Sequence, residues 1–204
     1  MIICVSMSLQ AGGLILRSLS SISKVNCFPK KTFPARSRFT FHFVDSYRHC
    51  GDYKAALDVW LTKTLPVYKE QLGIHPWTAS ILQHIASMYL EFARENPTEY
   101  ADLAETYTRE ALQLRASLLA DHQDTARSHV SLSEVFSIQG KLNLALNELE
   151  TAVAIQENVL GVRHQDTIDT SNKITDVLRR LGREREAEER KTSSLQFPQS
   201  TARK

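Results

Sequence analysis

Seven histidines (His42, His49, His75, His84, His122, His129 and His164) have the most chemistry to offer, because imidazole ligates metals and exchanges protons near neutrality. Three of them recur in one short motif, HPWT at His75 and HQDT at His122 and His164. Zinc holds nitrogen ligands at about 2.0–2.1 Å. Positions repeated between stacked helical layers stand ~10 Å apart, so no metal site is expected from them. His164, Asp166 and Ser171 supply the residue types of a hydrolytic triad, but no GxSxG turn frames the serine. A GxxxxGKS-type phosphate loop is also missing. We therefore expect no catalytic residue and no cofactor. Trp60 lies on an apolar phase and reads as core, whereas Trp77, after a loop proline, could equally be a binding anchor. The run RRLGREREAEERK mixes six bases with four acids at helical spacing, the pattern of a solvated helix face rather than a nucleic-acid patch.

Composition narrows the elements that could position these side chains. The chain has 204 residues, 42% hydrophobic and 24% charged, which is ordinary for a folded domain. Only seven glycines and six prolines argue against a turn-dense β-sandwich. The three cysteines (Cys4, Cys27, Cys50) form no CxxC and are odd in number, so neither a disulfide framework nor a cysteine zinc site is expected. Charge is unevenly placed. Residues 1–44 hold six bases and no acid, leaving −4 for residues 45–204 of a total of +2. We read residues 1–38 as a basic, Ser-rich leader without a fixed fold; its composition also suits a mitochondrial transit peptide. Its apolar stretch, 1–16, is shorter than the ~20 residues of a membrane span.

Internal repetition defines the architecture. Gly140 and Gly182 are 42 residues apart, as are His122 and His164. Alanine follows by five residues at Ala56, Ala145 and Ala187, after Gly51, Gly140 and Gly182; Ala104 fills the missing unit, with Glu99 in place of glycine. Shared periods of this length mark a solenoid of stacked units. Within a period, Ile81, Leu82, Ile85, Met88, Tyr89 and Phe92 line one helical face, as do Ile174, Val177, Leu178 and Leu181. The second helix carries Ala145, Leu149, Ala152, Val153, Ile155, Val159 and Leu160. Gly140 and Gly182 stand where a helix ends and the chain reverses, and Asp124 and Asp166 occupy the expected N-cap positions. Helices are predicted at about 39–49, 53–71, 77–95, 98–119, 124–139, 142–160, 166–181 and 183–192, give or take ~2–4 residues. Pro66 is expected to kink the second of these. Ala145 is expected at a close helix crossing, and Gln156 on the solvent side.

These features resemble the tetratricopeptide repeat. Ala86 and Ser133 sit at its small interhelical position, with Tyr89 and Phe136 three residues on; Ala111 and Ala152 match a later small position. The strings QLGIHPWT, LLADHQDT and VLGVRHQDT look like the 42-residue kinesin light chain and nephrocystin-like subclass. The resemblance implies an all-α, right-handed α-solenoid of about four antiparallel helix pairs. The units would lie near 39–72, 77–119, 124–160 and 166–193, with 194–204 a disordered tail. It also implies a protein–protein interaction scaffold or adaptor with no enzymatic activity. Alternatives are a regulatory fragment of a larger nucleotide-binding sensor protein, or a mitochondrial assembly factor. The cytoplasm is the expected compartment, or the mitochondrion if residues 1–38 direct import. Because the first helix of each pair lines the concave surface in such repeats, the polar phase of those helices becomes the candidate partner-binding face. It comprises Gln83 and Ser87, then Arg127 and Glu134, then Asn172, Asp176, Arg179 and Arg180. Two neighbouring arginines can hold a carboxylate bidentately, so the expected partner is a protein or peptide with acidic residues, not a nucleic acid.

Overall fold

A computed structural model describes residues 53–195. The helix expected at 39–49, the leader 1–38, Gly51, His42, His49 and the three cysteines lie outside the described residues, as does the tail after Leu195. Within them the chain is helical and contains no strand. The first rod comprises α1 (Tyr53–Val59), a π turn (Trp60–Thr64) and α2 (Leu65–Gln71). Three helix pairs follow: α3 (Pro76–Glu95) with α4 (Pro97–Leu119), α5 (Gln123–Ile138) with α6 (Leu142–Val159), and α7 (Gln165–Arg180) with α8 (Glu184–Leu195). Each helix packs on the next in sequence, and α3 also touches α5, while side chains of α5 and α7 meet at Arg127–Asp166 and Glu134–Lys173.

The helix ends follow local chemistry. Gly140 and Gly182 take φ of 75° and 74°, left-handed values that glycine adopts without Cβ strain. At each, the residue after glycine donates back across the last turn, Lys141 N to Phe136 O at 2.8 Å and Arg183 N to Leu178 O at 2.9 Å. This closes the carbonyls that a helix end leaves open. At the starts, the expectation for Asp124 and Asp166 needs correction. The N-caps are His122 and His164, and His75 does the same for α3; in each the side chain accepts from the backbone N–H two residues on. The aspartates sit two residues inside, where their charge suits the positive end of the helix.

Pro66 does not break its helix. Directly before it the backbone widens into the π turn, in which Leu65 N–H reaches Trp60 O, five residues back. Proline lacks an N–H and its ring crowds the carbonyl four residues earlier; a wider turn relieves that crowding. The extra residue also changes register. Tyr68 follows Ala56 by 12 positions, whereas Arg115 follows Ala104, and Gln156 follows Ala145, by 11, and all three are buried.

The core runs between the pairs. Ala56, Ala104, Ala145 and Ala187 are all fully buried, as close helix approach requires. Leu132, Phe136 and Ala145 form one cluster, with Leu112 against it. Leu146, Leu149, Val153, Ile174, Val177, Leu178 and Ala187 form another, between α6, α7 and α8. Each fully buried aliphatic side chain contributes about 1.5–3 kcal/mol. The phase of α6 differs slightly from expectation: Val159 is exposed and Leu146 is buried instead. Gln156 is also a correction, because it is 2% exposed and its Oε1 is enclosed with no hydrogen-bond partner among the described residues. A buried, unmatched acceptor destabilises, so Gln156→Leu should raise stability by about 1 kcal/mol. Urea unfolding of the two proteins checks this; a lower midpoint for the leucine variant would count against it.

Candidate functional site

The polar residues of the first helices meet across the boundaries between repeats, mostly through partners that sequence reasoning did not name. At the α3–α5 boundary, Gln83 Oε1 accepts from Arg115 Nη1 at 3.2 Å and from Ser128 Oγ at 2.9 Å. Ser87 Oγ donates to the Gln83 carbonyl at 2.8 Å. Arg115 reaches this point from α4. Its Nη1 also donates to Asp124 O at 3.0 Å and Ser128 Oγ at 2.5 Å. Burial lowers the Arg115 guanidinium from its ordinary value; the Asp124 charge opposes this and Arg127 adds to it.

At the α5–α7 boundary two carboxylates act as clamps. Asp166 Oδ2 accepts from Gln123 Nε2 at 2.8 Å and lies 3.5 Å from Arg127, which also meets Asp124 at 3.5 Å. The Gln123 hydrogen bond is the main reason that Asp166 is held below the usual carboxylate range; Arg127 and His164 reinforce it against partial desolvation. Glu134 accepts from Lys173 of α7 and lies 3.9 Å from Arg94 of α3. One carboxylate of α5 thus binds cations on both neighbouring first helices.

Arg179 and Arg180 turn to different elements. Arg179 donates to Glu188 of α8 at 3.0 Å and lies 3.7 Å from Asp176, while Arg180 donates to the Ser137 carbonyl at the end of α5 at 3.1 Å. Asn172 is exposed on α7. Of the eight residues read from sequence, the structure directly joins Ser87 with Gln83 and Asp176 with Arg179. Gln83 reaches Arg115 and Ser128, Arg127 reaches Asp166, Glu134 reaches Arg94 and Lys173, and Arg180 reaches the Ser137 carbonyl. A faint signal for these lies in the register: Ser128, one place after Arg127, and Lys173, one place after Asn172, flank the phase that was read. Arg115 carries no such signal, because the repeat marks only small and apolar positions on its second helix.

The described histidines have structural roles. His75, His122 and His164 cap helices, so the Nδ1 of His164 is engaged by backbone and not by Ser171. His129 Nδ1 lies 2.7 Å from Glu148 Oε2, joining α5 to α6. His84 stacks on Trp60 at 5.7 Å. Trp60 is 1% exposed and Trp77 38%, so one is core and the other is half open beside His75. The arginines of the charged run pair along and beside α8, Arg183 with Glu186 and Arg185 with Glu189. Among the described residues no three His, Cys, Asp or Glu side chains are grouped to hold a metal ion, and no helix is long and apolar enough to cross a membrane.

Comparison with known proteins agrees with this architecture. Residues 135–200 match the tetratricopeptide repeat family model. Among solved structures, the chain is similar to nearly identical TPR-like repeats of a Podosopora anserina protein described as a kinesin light chain. The identity is 19%, over 83% of this chain and 78% of that one, with a TM-score of 0.69. BtubC (BKLC) from P. vanneervenii is similar at 17% identity, over 79% of this chain and 65% of that one, with a TM-score of 0.61. No curated protein matches the sequence. Residues 135–200 thus carry tetratricopeptide repeat sequence, and the chain folds as a helical solenoid similar to those two structures.

Proposed function

We propose that this tetratricopeptide-type solenoid is a scaffold that binds a protein or peptide along the surface formed by α3, α5 and α7, and that it performs no catalysis of its own. The observation that carries the reading is that α3 packs on α5 and that polar contacts run from α3 to α5 to α7, through Gln83–Ser128, Arg127–Asp166 and Glu134–Lys173. Such a surface is rigid and polar, and it is already paired within itself. A partner gains affinity on it by adding contacts rather than by ordering the helices. Gln83 and Ser87, Arg127 and Glu134, and Asn172 and Asp176 make up the proposed face, with Arg179 and Arg180 at its α7 end. An acidic segment of the partner would compete with Glu188 for Arg179 and with the Ser137 carbonyl for Arg180. Cytoplasmic residence is part of the proposal.

The test is affinity capture of the full chain followed by titration of the recovered partner. Arg179→Ala/Arg180→Ala is expected to weaken binding about tenfold, equivalent to ~1.4 kcal/mol, with helix content unchanged. Unchanged affinity would move the site off this surface.

A further inference from the structure

The same imidazole geometry occurs at the start of each described first helix. His75 Nδ1 accepts from Trp77 N–H at 3.1 Å, His122 Nδ1 from Asp124 N–H at 3.1 Å, and His164 Nδ1 from Asp166 N–H at 3.2 Å. In all three the backbone is extended and the next residue begins the helix. Asparagine, aspartate and serine usually fill this position. Histidine differs in one chemical respect: its Nδ1 accepts only while the ring is neutral, with the proton on Nε2. A proton on Nδ1 removes the acceptor and places a cation at the positive end of the helix.

We propose that His75, His122 and His164 form a repeating set of proton-released helix caps, through which mild acid loosens the first turns of α3, α5 and α7 together. Those turns lie on one edge of the solenoid, where the chain passes from the second helix of one pair to the first of the next. They carry the Gln123–Asp166 and Arg127–Asp166 contacts, so loss of the caps weakens the joints between repeats as well as the helix ends.

The surroundings make the caps unequal. Asp124 Oδ2 lies 3.7 Å from His122 Nδ1, and Arg127 shares that carboxylate. His164 feels the Asp166 charge, which Gln123 and Arg127 also hold. In the chain, Asp121 directly precedes His122 and Arg163 directly precedes His164. A nearby carboxylate keeps a cationic ring in place after its hydrogen bond is gone. The His75 ring meets the edge of Trp77, with centroids 6.2 Å apart, and no ion pair to it occurs among the described residues. Release therefore acts most strongly at α3.

The experiment compares thermal unfolding of the full chain with that of the His75→Asn/His122→Asn/His164→Asn variant. Asparagine caps equally well and does not titrate. The window runs from about pH 7.5 to about pH 5.5, where ordinary carboxylates stay ionised. On acidification the natural chain should lose about 5 °C more in Tm than the variant, and His75→Asn alone should recover the largest single share. Equal losses in the two proteins would overturn the proposal. Should the variant not fold, amide proton resonances of Trp77, Asp124 and Asp166 are followed in the natural chain. They should shift in step with the imidazole titration, and amides that stay fixed while the rings titrate would overturn the proposal too.

Discussion

Trp60→Ala should be the most damaging single truncation in the described solenoid, lowering the unfolding free energy by about 3–5 kcal/mol. Trp60 is the largest fully buried side chain among the described residues, at 1% exposure. It opens the π turn, stacks on His84 of α3 with ring planes 13° apart, and so joins the first rod to the first complete pair. No neighbour can fill the hole cheaply, because protein interiors are packed at crystal-like density and relax only in part. In a solenoid each unit touches only its neighbours, so the damage should appear as early melting of the α1–α3 end rather than a uniform loss. Urea unfolding checks the size, and hydrogen exchange by segment checks the place. Trp77→Ala is the control, with an expected cost below about 1 kcal/mol because that side chain is half open. Equal costs for the two tryptophans would contradict the assignment of Trp60 to the core.

Ala145→Leu should cost about 1–3 kcal/mol by overpacking. Ala145 has no exposed surface and lies against Leu132 and Phe136, where α6 crosses α5. Three added carbons must push the two helices apart or force strained rotamers, since the interior is packed as densely as a crystal. Ala154 lies exposed on the same helix, and Ala154→Leu should change stability by less than about 0.5 kcal/mol. The comparison separates position from residue type. If both substitutions destabilise equally, the helical phase of α6 is misassigned.

The two alanines also show how far a periodic reading extends. Ala145 was legible because its spacing from Gly140 recurs at Ala56 and Ala187, and only a small residue fits a close crossing. Gln156, 11 residues on, falls on the same buried face, but its type suggests solvent. Residue type and register disagreed, and register decided. The same conflict hid Arg115, whose long apolar stem lets a charged head pass between α3 and α5 to reach Gln83, Ser128 and Asp124. Long amphipathic side chains can bury their stems in this way.

Among the described residues, local and periodic signals alone determined the helices, the turns at Gly140 and Gly182, the small positions and the stacking of pairs. Those features depend on neighbours within one or two turns, or on a repeat that the chain states several times. Tertiary structure decided the rest. Histidine, not aspartate, caps α5 and α7, because each helix already begins at the residue before the aspartate. Pro66 is absorbed by a π turn, and with the one-residue change of register Trp60 and Tyr68 are both buried. Arg179 and Arg180 diverge to Glu188 and Ser137, though they are adjacent in sequence, because successive residues on a helix point about 100° apart and each side chain pairs with whatever its own direction reaches.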